Sequence, residues 1–89
     1  MSDDDTERVW LVERDYNDKG LVTLVYATTE GDRCLQSNRS STMLSRQGVT
    51  AAQTVETDRL VPVEEADLRD RYAHEASRMA DRHDPDDEV

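Results

Sequence analysis

The sequence predicts an α+β fold: an antiparallel sheet of about four strands in the order β-β-β-short α-β-α, with a long C-terminal helix packed on one face. Three observations predict it. Apolar residues recur with a period of two through the first two thirds of the chain. A turn of hairpin composition, Asn17-Asp18-Lys19-Gly20, separates the first two such runs. From Ala66 the period changes to that of a helix, and Asp84-Pro85 ends it.

Val9 to Tyr16 reads as the first strand, with Val9 and Leu11 on one side and Trp10, Val12 and Tyr16 on the other. Asn17 suits the first position of a type I turn, and Gly20 supplies the positive φ that re-enters the ladder. Leu21 to Thr28 (LVTLVYAT) is rich in β-branched and aromatic residues on both faces. A strand apolar on both faces must be covered on both. One helix covers one face, so this run predicts a second copy of the chain on the other. Glu30-Gly31-Asp32 turns into a third strand, Arg33 to Ser37. Asn38 to Ser41 are cap-type residues, and Gly48 suits a left-handed terminator. A short helix is expected over 42–47, with an irregular loop as the alternative. Val49 to Glu56 is the fourth strand. Asp58 and Arg59 turn into Leu60-Val61-Pro62-Val63, an extended segment. In the helix, Ala66 to His83, one stripe holds Leu68, Tyr72, Ala76, Met79, Ala80 and His83. Asp67 near its start and Arg82 near its end suit the macrodipole. Residues 1–7 read as a mobile acidic tail, 8–83 as a single domain, and 84–89 as a frayed acidic tail.

Eighty-nine residues make one small domain with a thin core. No apolar run approaches the roughly 20 residues of a membrane span. The beginning, Met-Ser-Asp-Asp-Asp, has no signal-like segment, so a cytoplasmic protein is expected. Cys34 is the only cysteine. It allows no disulfide within the chain and no thiolate metal site. His74 and His83, nine residues apart on one helix, project from nearly opposite sides and cannot share a metal. No Ser-His-Asp constellation and no phosphate-cradling glycine loop is visible. No cofactor and no enzymatic activity are expected.

Acidic residues number 21 and basic residues 11, of which Lys19 is the only lysine. This carboxylate-rich, lysine-poor composition, with the ending RYAHEASRMADRHDPDDEV, resembles uncharacterised small acidic proteins of haloarchaea. The resemblance implies a cytoplasm of concentrated potassium salt and no particular activity. In molar salt the screening length falls to about 3 Å, so a dense carboxylate surface is tolerated.

The charge is unevenly spread. Residues 1–32 carry nine acids and three bases, and residues 56–89 carry twelve acids and five bases. Residues 33–55 carry no acid, and Arg33, Arg39 and Arg46 give them +3 within a net −10. Such asymmetry speaks to association rather than to fold. The candidate anion site is Arg33, Arg39, Ser40, Ser41 and Arg46, where hydroxyls, guanidiniums and free N–H groups of a helix start would converge. The ordinary reading is that the serines cap a helix and the arginines are solvated. Trp10, Tyr16 and Tyr26 on one sheet face would offer a base-stacking platform. The ordinary reading places them in the core under the helix.

Two functions follow as expectations. The first is a non-enzymatic protein-interaction module that self-associates through 33–55, as a homodimer, or docks another protein. The alternative is a nucleic-acid or phosphate-ligand module using Arg33, Arg39 and Arg46.

Overall fold

A computed structural model describes residues 5–17, 19–43 and 48–89. Five strands, β1 (Thr6–Tyr16), β2 (Leu21–Ala27), β3 (Arg33–Ser40), β4 (Ala52–Glu56) and β5 (Val61–Pro62), form one sheet in the order β4-β1-β2-β3-β5. Every neighbouring pair is antiparallel. A single 3-10 turn, Thr57–Arg59, precedes β5, and the helix α1 spans Ala66–Arg82. The α+β class and the helix across one face are as the sequence predicts. The additional strand is β5, the segment expected to be merely extended.

The first turn forms as its chemistry requires. The Asn17 carboxamide oxygen accepts from the N–H groups of Lys19 (2.9 Å) and Leu21 (3.1 Å), and Gly20 sits at φ +79°. Pairing with β2 draws β3 out to Ser40, where the sequence suggested an end at Ser37. Leu21 faces Ser40, and the Thr23 hydroxyl donates to Asn38 Oδ1 at 3.0 Å.

The α1 stripe behaves as expected. Tyr72 and Ala76 are buried against Trp10, Val25, Ala27 and Ala52. The β2–β3 turn seats the helix. Gly31 has φ +72°, and a Cβ there would come within 2.2 Å of the Arg69 carbonyl oxygen. Arg71 reaches across to Glu13 of β1 at 3.1 Å.

The other face of β2 is covered too, without a second copy. Val9, Leu11, Val22, Leu24, Tyr26 and Val55 form one cluster with Val49 and Leu60. Both covering residues belong to connections that cross this face. The prediction of a second subunit rested on a helix being the sole cover available, and a crossing segment supplies the other.

Three boundaries differ from expectation. β1 begins at Thr6, because residues 6–8 pair with 54–56 of β4. The register of β1 against β2 shifts between Leu11 and Glu13, a bulge at Val12. Residues 49–51 are not strand: Ala51 O accepts from Leu11 N–H of β1 at 2.9 Å, and the segment otherwise bonds to the C-terminal residues expected as a frayed tail. Ala51 N–H donates to Asp87 O (2.7 Å), Ala52 N–H to Pro85 O (3.1 Å) and Val89 N–H to Val49 O (2.8 Å).

Candidate functional site

The acid-free stretch supplies two strands of the sheet and places Leu35, Val49 and Val55 on the face away from α1. β3 and β4, which it contains, are separated in the sheet by β1 and β2. Of the described residues between them, Val49 is buried on the face away from α1.

The candidate residues do not gather as a group. Arg33 begins β3 and spends its guanidinium on Glu7, whose two carboxylate oxygens face its two terminal nitrogens. The Oε2 contact is an aligned hydrogen bond; the Oε1 contact is an ion pair. Asp32 stands 3.9 Å away. The hydrogen bond to Glu7, then the neighbouring acids, hold the Arg33 guanidinium above its usual pKa. Arg39 lies six residues along the strand, about 20 Å away at ~3.3 Å per residue. Ser40 does what a cap does, its Oγ accepting from Met43 N–H at 3.1 Å. Residues 41–43 are helical; the remainder of the helix expected over 42–47, and Arg46 with it, lies outside the described residues. Ser41 N–H donates to Gly20 O at 2.8 Å.

Beside Arg39 stand Arg14, which the sequence reading left out, and Tyr16, which it placed with Trp10. Arg14 and Tyr16 follow the bulge at Val12. Before it, Trp10 pairs with Ala27 and lies under α1; after it, Arg14 pairs with Leu24 and Tyr16 with Val22, on the acid-free face. In register, one row across the sheet reads Tyr16, Val22, Arg39, and the next reads Arg14, Leu24, Ser37. The expected aromatic platform is thus broken. Trp10 and Tyr26 fall on opposite faces and both are buried, while Tyr16 is 63% exposed.

Two clefts flank the crossing segment at Gly48 and Val49. One, of about 240 Å³, is bounded by Arg14, Tyr16, Val22 and Ser41. The other, of about 210 Å³, is bounded by Leu24, Ser37, Arg39 and Gln53. Among the described residues neither lining includes an Asp or Glu. The nearest carboxylate from the tail, Glu88, comes up against Gly48. Between the clefts the Tyr26 hydroxyl donates to Thr50 O at 3.1 Å. Burial pushes the Tyr26 pKa up, while Thr50 and the Arg39 and Arg14 charges pull it back, so both guanidiniums act on this face.

A third cleft, of about 290 Å³, lies at the end of α1 between Leu11, Val12, Met79 and His83, and includes Glu13 and Glu88. Its mixed charges set it apart from the other two. Among the described residues no group of three or more His, Cys, Asp or Glu could hold a metal, and no helix is long and apolar enough to cross a membrane.

The family model of DUF7967, described as a family of unknown function, matches residues 3–89. The chain belongs to the DUF7967 family. No curated protein and no solved structure matches it. In this DUF7967 chain Arg14 and Ser41 line one apolar-floored cleft, and Ser37 and Arg39 line the other.

Proposed function

We propose that this protein is a non-enzymatic binding module that holds a phosphate-bearing partner on its acid-free face, in the concentrated-salt cytoplasm of a haloarchaeon. The observation that carries the reading is the coincidence of sequence and fold. The carboxylate-free stretch 33–55 contributes Ser37, Arg39 and Val49 to the face onto which Arg14 also projects, in a molecule of net charge −10. Acid placed there would repel phosphate, and arginine matches phosphate geometry by its planar fork. Self-association through 33–55 is the less favoured reading, because both faces of β2 are buried within one chain. The basic set is Arg14 and Arg39; Arg33 is committed to Glu7.

The test uses inorganic polyphosphate as the probe, with binding followed by calorimetry at several potassium chloride concentrations at which circular dichroism shows a folded protein. Retention is expected, with log K falling against log salt by a slope of roughly 1.4 for two contacts. The double variant Arg14→Gln/Arg39→Gln should lose it, and Arg33→Gln should keep it. Wild-type protein that retains no polyphosphate at any of these concentrations refutes the reading, as does a double variant that binds unchanged.

A further inference from the structure

Of the four aromatic residues, Trp10, Tyr26 and Tyr72 are buried and Tyr16 is 63% exposed. Leaving one aromatic ring in water discards burial that a small core needs. Its surroundings suggest a use. Tyr16 walls the 240 Å³ cleft with Val22 and Val49 as apolar floor, Arg14 on its own strand and the Ser41 segment across from it. Arg39 stands in its own row, one strand beyond Val22. An exposed ring on a strand face, flanked by guanidiniums, is the arrangement on which unpaired bases stack; of the carboxylates nearby, Glu7 is bound to Arg33 and Glu88 lies against Gly48.

We infer that Tyr16 is a stacking platform for a base of a single-stranded nucleic acid whose phosphates lie on Arg14 and Arg39. The inference rests on the phosphate-binding reading above and adds the chemistry of the ligand between its phosphates. It also answers the main physical objection to that reading. At 1 M salt charges are screened over about 3 Å, so phosphate contacts by themselves hold little. Stacking carries no such dependence. A nucleic-acid site in a concentrated-salt cytoplasm needs an aromatic surface more than it needs additional cations, and this face offers two arginines and one exposed ring.

The experiment compares four probes of matched length at fixed potassium chloride: single-stranded RNA, single-stranded DNA of the same sequence, the DNA duplex, and inorganic polyphosphate. Binding is measured by fluorescence anisotropy to wild type, Tyr16→Ala, Tyr16→Phe and Tyr16→Trp. Single strands should bind more tightly than duplex or polyphosphate. Tyr16→Ala should weaken single-strand binding by roughly 5- to 150-fold and leave polyphosphate binding unchanged. Tyr16→Phe should retain binding, and Tyr16→Trp should show quenched emission on the strand. A preference between RNA and DNA identifies the source of the strand, and either preference supports the inference. Equal binding of all four probes with no effect of Tyr16→Ala overturns it while leaving the phosphate reading intact. Tight duplex binding also overturns it, because paired bases are not free to stack on a side chain. Failure of every probe, polyphosphate included, overturns both.

Discussion

The two faces of the sheet bury comparable apolar residues and are covered in different ways. Beneath α1, Trp10, Val25, Ala27 and Ala52 meet Tyr72 and Ala76. On the opposite face, Val22, Leu24 and Tyr26 meet Val49 and Leu60 from crossing segments. A helix with its side chains is about 10–12 Å wide, enough to span two strands at about 4.8 Å spacing. An extended segment is one strand wide. The first cover therefore seals, and the second leaves openings on both sides of itself. The outward surfaces differ accordingly: α1 presents Asp67, Asp70 and Asp81 to solvent, whereas the crossed face presents Arg14, Arg39 and the Arg33–Glu7 pair. The proposed recognition thus belongs to the thinly covered side, and the closer packing to the helical side.

The strongest way to break that comparison is Gly31→Ala. A Cβ at Gly31 would stand 2.2 Å from Arg69 O and 2.6 Å from Ala73 N, on a backbone of φ +72°. The helix must lift from the turn, at a cost on the order of 3 kcal/mol or more. Gly20→Ala shares the positive φ, but its Cβ would meet only Ser41 Oγ at 3.5 Å. It should cost about 1–2 kcal/mol. Equal midpoints for the two variants in urea would show that the close seat of the helix does not matter.

Tyr72→Ala tests the sealed face directly and should cost about 3–5 kcal/mol, against about 2–3 for Leu24→Ala on the crossed face. A larger loss at Leu24 in the same urea titration would mean that the crossed face is the better packed of the two.

Alkaline pH should weaken the fold through both faces. Burial raises the pKa of Cys34, Tyr26 and Tyr72 above their ordinary values, so the native state holds their protons longer than the unfolded chain does. Their contribution is complete below the unfolded values and is lost as pH rises through the folded ones. Stability at constant salt should therefore begin to fall near pH 9, first through Cys34, and fall further above about pH 10 through the tyrosines. In Cys34→Ser the onset should move up toward the tyrosine range. A flat profile from pH 8 to about 11 would contradict this account.

Glu7→Gln removes the partner of Arg33, both groups being about one third exposed. A loss of about 1 kcal/mol is expected, smaller at high salt. The smallest effects belong to the recognition surface. Tyr16→Ala and Arg39→Gln should each change stability by about 0.5 kcal/mol or less while acting on ligand retention. A large stability loss at either position would make it a structural residue and remove it from the proposed site.

Much of the fold was legible residue by residue. The hairpin was readable because Asn17 and Gly20 are what such a turn needs. The helix was readable because its stripe and its Asp84-Pro85 stop are local signals. The site was legible only as a region. The absence of acid from 33–55 pointed to one segment, yet Arg33 turned out to be paired with Glu7, and Tyr16 and Arg14 lie outside the segment. No local signal marks the bulge at Val12, which moves Tyr16 out of phase with Trp10. A bulge is a property of two strands in register, and a single strand's alternation does not contain it.

What the chain by itself determined was its element types, its turn chemistry and the exclusion of acid from its middle third, because each depends on residues close in sequence. What only the tertiary structure decided was which face each residue serves. Val49 and Leu60, outside the strands, cover the second face of β2 within one chain, and the bulge brings Tyr16 and Arg14 beside Arg39. These outcomes depend on pairings between residues far apart in the chain, and local periodicity carries no information about them.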